Sequence, residues 1–258
     1  MTQIHETAVV APGASLHESV TVGPYSVIED EVEIGADTVI GPHCVIKGPT
    51  VIGERNRIFQ FSSIGEDPQD KKYAGEKTHL VIGNGNTIRE CCTLNRGTAQ
   101  GGGTTSLGDN NWLMAYVHIA HDCVVGDETI FANNSGLAGH VTVGDYVIFG
   151  GFSGVHQFCR IGAHAFVANN SAVARDVPPY IMAAGQPAVP RGINSEGLKR
   201  RGFSVDQIRN IKEAFRLMYR SGLRLEEARE RIEAAVPEQQ ELASYAEFIQ
   251  ASDRRFIR

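Results

Sequence analysis

His118, His121, His140 and His156 fall within one stretch of the chain, with Asp122 directly after His121 and Gln157 directly after His156. Histidine can take and return a proton near neutral pH, and a neighbouring carboxylate can fix its tautomer and raise its basicity. His121 is therefore the candidate general base. Gly139, eighteen residues on, offers a backbone N–H with no side chain in front of it, which suits an oxyanion hole. Asp122 is the candidate partner carboxylate. Adjacent residues of an extended strand point to opposite sides, however, so a direct dyad requires a bend at Ala120-His121-Asp122. The same residue types suit a second chemistry, because His118, His121 and His140 could supply the three nitrogens of a zinc-dependent hydratase. A lone histidine on a polar surface is ordinary. Three on neighbouring turns of a repeat, with a glycine between them, favour a site.

The elements that must position these residues are set by a period of six. Ile4, Val10, Leu16, Val22, Ile28, Ile34, Ile40, Ile46, Ile52, Ile58 and Ile64 follow one another at that interval. The period resumes at Ile82, Ile88 and Leu94, and again from Leu107 through Leu113 and Ile119 to Val173. An amphipathic helix would need apolar residues at i, i+3, i+4 and i+7, which this pattern lacks. A parallel β-helix fits instead: each hexad makes one flat side, three hexads make a coil, and coils stack at roughly 4.8 Å. That period carries His121 to Gly139 and Gln157, and sets His121, His140 and His156 on neighbouring coils along one line of a single wall. The small residues four after each aliphatic (Ala8, Ala14, Val20, Ser26) share the interior, and glycines such as Gly23, Gly35, Gly41 and Gly53 serve the turns. Cys44, Cys92, Cys123 and Cys159 occupy that same small-residue phase, so they read as core fillers, not as disulfides or thiolate ligands.

Two excursions interrupt the repeat. Residues 65–81 are polar, put Asp70 and Glu76 where aliphatics would fall, and equal one coil in length, so they are expected to leave the prism as a functional loop. Residues 95–106 contain a GGG run without the GKS or GKT of a phosphate-binding loop, and read as flexible. The repeat stops at Val177-Pro178-Pro179, and after Pro187 and Pro190 the pattern becomes helical. The expected division is a β-helix over 1–190 and a helical domain over 191–258. Ser204 to Gln207 forms a capping box, Ile208, Ile211, Phe215 and Met218 an apolar face, and Gly222 the expected C-cap. Helices over about 225–236 and 238–253 complete a bundle that caps the prism.

The formal net charge is −6, yet residues 199–224 hold eight basic and two acidic side chains. Arg209, Lys212, Arg216 and Arg220 recur at helical spacing as one stripe. A local basic patch on an acidic chain points to an acidic partner, not to general nucleic-acid binding. No apolar run has transmembrane length and no signal-peptide core precedes the repeat, which places the protein in the cytoplasm.

QDKKYAGE (69–76), HIAHDC (118–123), LAGH (137–140), VHQFCRIGAH (155–164) and EGLKRRGF (196–203), in this order on a hexad prism, resemble the hexapeptide-repeat UDP-N-acetylglucosamine O-acyltransferase family. The resemblance implies a left-handed β-helix, a homotrimer with sites in clefts between subunits, and no metal or cofactor. It implies transfer of a 3-hydroxyacyl group from acyl carrier protein to the glucosamine 3-hydroxyl of UDP-N-acetylglucosamine, the first step of lipid A synthesis. His121 then matches the general base and Gly139 the oxyanion donor. Asp70, Lys72, His118, His140 and Gln157 match substrate-binding positions, with His156 beside them. Asn194, Glu196 and Arg200 match residues around the nucleotide. Two departures stand out. Asn95, in TLNRGT, replaces a histidine common in the family, and Asn169 stands where some members have glycine at the floor of the acyl groove, which implies a shorter acyl chain. A non-catalytic scaffold would leave the histidine wall and both loops without a role.

Overall fold

The computed structural model describes residues 3–251 and 256–258. Short strands, mostly of two residues, stack into three walls of eleven, nine and eight strands, parallel throughout except for the last strand of the first wall. Trp112–Leu113 lies in the first wall, His118–Ile119 in the second and Val124–Val125 in the third. Ile119 stands opposite Leu137, and Leu137 opposite Val155, so a coil is the expected eighteen residues. The architecture is a left-handed parallel β-helix, an exception to the usual right-handed crossover. Ile28, Ile46, Ile64, Leu94 and Ile119 fill its interior without solvent contact. The four phase-matched cysteines are buried beside them, and burial pushes the Cys92 and Cys123 thiols up to about 12. Buried polar residues of that phase bond to one another along the axis. The Asn86 amide donates to Asn56 Oδ1 at 3.0 Å, and the Asn111 N–H to Asn86 Oδ1 at 2.8 Å.

The corners differ from the expectation for glycine. The left-handed backbone falls three residues after most of the aliphatics, on Tyr25, Asp37, His43, Tyr116, Asp122, His140, Phe158 and their equivalents, with φ between 54° and 69° at the non-glycine corners. Gly23 and Gly35 serve contact between coils instead. A Cβ on either would come within 2.8 Å of backbone in the next coil.

The excursions are shorter than the broken pattern suggests, because strands run into both. Ile52 pairs with Ile82 and Ile58 with Ile88, thirty residues apart instead of eighteen, so the first insertion is not a whole coil. Its strands reach Glu66 and restart at His79. The second contains a 3-10 turn at Ala99–Gly101 between Thr93–Asn95 and Thr104–Leu107.

Beyond the coils, Ile181–Gly185 and Ala188–Ile193 form an antiparallel hairpin on the first wall. Pro190 and Arg191 thus belong to a strand, and the helices begin later: α1 at Ser195–Arg200, α2 at Val205–Tyr219, α3 at Leu225–Ala235 and α4 at Ala243–Gln250. The Ser204 capping box is present, and Ile211, Phe215 and Met218 are buried. The C-cap of α2 is Arg220, not Gly222, because the helix ends at Tyr219, three residues before that left-handed glycine. The last expected helix is broken at its start by a 3-10 turn, Gln240–Leu242, and its residues 252 and 253 lie outside the described residues. No described helix is long and apolar enough to cross a membrane.

Candidate active site

His118 leaves the second wall through Ile119 and Ala120, and the chain then turns the corner toward the third wall at His121 and Asp122. Asp122 has φ 60°, outside any strand conformation, so its side chain comes round to the same side as that of His121. The dyad that strand alternation left open is therefore made: His121 Nδ1 lies 2.8 Å from Asp122 Oδ2. A carboxylate can only accept, so Nδ1 carries the hydrogen and Nε2 keeps a free lone pair. That is the tautomer of a base. The Asp122 side chain is fully buried and the His121 side chain 13% exposed.

Stacking fixes the neighbours. Gly139 lies in the coil above His121, and its backbone approaches so closely that a Cβ would fall 2.7 Å from His121 Nε2. Three histidines do not form one line, as the count of hexads suggested. His140 sits one residue past the His121 column, above Asp122, and donates its backbone N–H to the His121 carbonyl at 3.0 Å. His156 sits one residue before that column, exposed, with Nδ1 3.1 Å from the Gln157 carbonyl. The His140 ring meets His121 edge-on at 5.1 Å and stacks on Phe158 at 4.3 Å.

Burial lowers the pKa of His118, and the nearby His121 adds to the effect. Burial also lowers that of His140, against a partly opposing pull from the Asp122 carboxylate. Both shifts favour neutral rings at pH 7, able to give hydrogen bonds without adding charge.

Two cavities meet at His121. One, of about 650 Å3, is polar and holds Asp70, Lys72, Gln100, His140 and Gln157 under the first loop. The other, of about 680 Å3, runs along the second wall over Gly136, Ala138, Gly154, Ala172 and Ala174, with His118 and His156 on it. Residues without bulk leave a smooth channel for an apolar chain. Asn169 does not line it. Asn169 sits exposed at a corner, where its Oδ1 accepts the Gly151 N–H at 3.1 Å.

Asn194, Glu196 and Arg200 are not brought to His121 either. They line a third cavity, of about 580 Å3, against Ile130, Ile148 and Phe166 of the first wall, whereas His121 occupies the corner between the other two walls. Asn194 also has local work, because its Oδ1 caps α1 through the Gly197 N–H and its amide donates to the His164 carbonyl. The basic stripe of α2 lines a further groove, where Arg191 joins Arg209, Lys212, Arg216 and Arg220.

The residue missed from sequence is Thr98. Its N–H and hydroxyl donate to the two oxygens of Asp122 at 2.8 and 2.7 Å, and the expected flexible GGG run begins with Gly101 pressed on that carboxylate. Asn95 is buried, and its amide binds the Asp67 carbonyl at 3.0 Å, at the root of the first loop. Among the described residues, the groups that converge as a metal could use them are His121, Asp122 and His140. The set His118, His121 and His140 of the hydratase reading is not assembled, because the ligand atoms that come within 4.8 Å of one another include Asp122 and not His118.

Curated relatives decide the family. Acyl-(acyl-carrier-protein)–UDP-N-acetylglucosamine O-acyltransferases of Thiobacillus denitrificans and Janthinobacterium are 56% and 58% identical over the full length of both chains. The chain belongs to the UDP-N-acetylglucosamine O-acyltransferase family. A family model described as UDP N-acetylglucosamine O-acyltransferase, domain 2, matches residues 176–257, and one for the bacterial transferase hexapeptide matches 104–139. The solved acyltransferase of Francisella novicida superposes with a TM-score of 0.97 at 46% identity, covering 99% of this chain and 94% of that one. This family membership stands against the hydratase reading, which the geometry does not favour either.

Proposed function

We propose that the chain moves a 3-hydroxyacyl group from acyl carrier protein to the glucosamine 3-hydroxyl of UDP-N-acetylglucosamine, the first step of lipid A biosynthesis, in the cytoplasm. His121 Nε2 takes the proton of the 3-hydroxyl as that oxygen attacks the thioester carbonyl. The Gly139 N–H steadies the oxyanion, and the C–S bond then breaks as His121 returns the proton to the departing thiolate. Asp122 holds the ring. Asp70, Lys72, His140 and Gln157 border the sugar side, while His118 and His156 border the acyl channel. The protein acts as a homotrimer in which Asn194, Glu196 and Arg200 reach the nucleotide from a neighbouring subunit, and Asn169 meets the acyl groove across the same boundary. The α2 stripe receives the acidic carrier protein.

The observation that carries this reading is the orientation of His121. Its Nδ1 is tied to Asp122 at 2.8 Å and its Nε2 edge lies against Gly139, where a polar cavity meets a smooth channel. The test is His121→Ala, with product mass read from UDP-N-acetylglucosamine and a mixture of acyl-carrier donors. Turnover is expected to fall on the order of 100- to 10,000-fold, as for loss of a general base, with melting unchanged. Near-normal turnover would refute the base.

A further inference from the structure

Asp122 Oδ2 has two histidine neighbours, not one. His121 Nδ1 is 2.8 Å away and His140 Nδ1 is 3.7 Å away, so a modest rotation of the carboxylate would exchange one partner for the other. A base held by an undecided carboxylate would lose its tautomer for part of the time. Something must choose. The carboxylate plane is fixed by Thr98, whose N–H takes Oδ1 at 2.8 Å and whose hydroxyl takes Oδ2 at 2.7 Å. Thr98 stands at the N-cap of the Ala99–Gly101 turn, yet its side chain makes no capping bond there. It is 1% exposed. Its hydroxyl is given to Asp122 instead.

The surroundings support the same role. Gly101 closes over the carboxylate, where a Cβ would lie 2.1 Å from Asp122 Cγ. From the other side, Thr105 Oγ1 accepts the Asp122 N–H at 2.7 Å and holds its left-handed backbone. Two bonds to two oxygens of one planar group remove its rotation, as a bidentate clamp does. We propose that Thr98 is a positioning residue for the acyl transfer: it locks the Asp122 carboxylate on His121 and away from His140. This rests on His121 acting as the base. Thr98 touches no substrate, and acts through Asp122.

Three variants separate the hydroxyl from the bulk. Thr98→Val keeps the shape and the N–H bond but loses the hydroxyl. Thr98→Ser keeps the hydroxyl and loses the methyl. Thr98→Ala serves where valine fails to fold, as judged by thermal melting. In steady-state assays with acyl carrier donor and sugar nucleotide, the valine or alanine chain is expected to lose about ten- to a hundredfold in kcat, the span of one hydrogen bond to a charged group. Its KM should stay within about twofold, since ground-state binding is untouched. Serine is expected to restore kcat to within about threefold of the parent chain. The proposal is overturned if valine or alanine keeps full kcat, if serine falls as far as they do, or if the loss lies in KM. His121→Ala run in parallel keeps the two ideas apart. If that variant stays active the base assignment is wrong, whereas an inactive His121→Ala beside a fully active Thr98→Val removes only the role of Thr98.

Discussion

His164 shows how a side chain outside the proposed chemistry can set a property of the molecule. It sits at a left-handed corner, stacked between Tyr146 at 4.7 Å and Tyr180 at 5.7 Å, with Phe203 edge-on at 5.1 Å. Burial first, and the Arg201 charge second, push its pKa down to about 4, while Asp145 pulls weakly the other way. In the unfolded chain the ring takes a proton near 6.5, so between these values the unfolded state binds more protons than the folded one. The contribution is complete above pH 6.5 and is lost as pH falls toward 4. His118 and His140 are shifted in the same direction. Replacing His164 by Phe keeps the stack, and Phe152 and Phe158 already occupy equivalent corners at φ 57° and 66°. The drop in Tm between pH 7 and 4.5 is expected to be smaller in this variant, and an unchanged drop would assign the acid sensitivity elsewhere. At this scale the sequence exposed His121 and Gly139 through one interval of eighteen. It hid the Asp122 contact because alternation applies to strands, and Asp122 is a corner.

Among the elements, the two insertions are one device. Arg96, 7% exposed, donates to the Gly65 carbonyl, pairs with Asp67 and reaches Tyr73 Oη at 3.3 Å, while Asn95 holds the Asp67 carbonyl. The second insertion therefore clamps the root of the loop that carries Asp70 and Lys72, and two residues later its Thr98 grips Asp122. Arg96→Met keeps an unbranched apolar stem and drops those contacts. Freed at its root, the loop must be ordered on binding, and the KM for UDP-N-acetylglucosamine is expected to rise about tenfold, equivalent to roughly 1.4 kcal/mol. Melting that falls sharply at unchanged KM would make the clamp a matter of stability alone. Neither clamp was legible in the chain, since hexad arithmetic stops where the period breaks. TLNRGT reads as loop composition until thirty-residue partners such as Ile64 and Leu94 show what lies beside it. The coils themselves were legible almost residue by residue, because a strict period leaves one way to bury its aliphatics.

On the scale of the molecule, a three-walled prism cannot bring all the proposed site residues together by itself. His121 lies at the corner between the second and third walls, and Asn194, Glu196 and Arg200 line a cavity on the first. Sequence motifs named both groups but carried no information on which wall each would face. The hairpin at Ile181–Ile193, which seats α1 on the first wall, was not visible in a proline-rich stretch. If the functional unit is a cyclic trimer, each site takes His121 from one subunit and Arg200 from its neighbour. His121→Ala and Arg200→Ala chains should then each be inactive as homotrimers yet restore activity together. With equal amounts mixed at random, one neighbour pairing in four joins an intact His121 to an intact Arg200, so co-expressed chains should recover roughly a quarter of the parent activity. Sites built within a single chain would give no recovery at any ratio. Tandem purification through a different affinity tag on each variant shows whether mixed trimers formed, so absent recovery from a mixed trimer would place the whole site in one subunit.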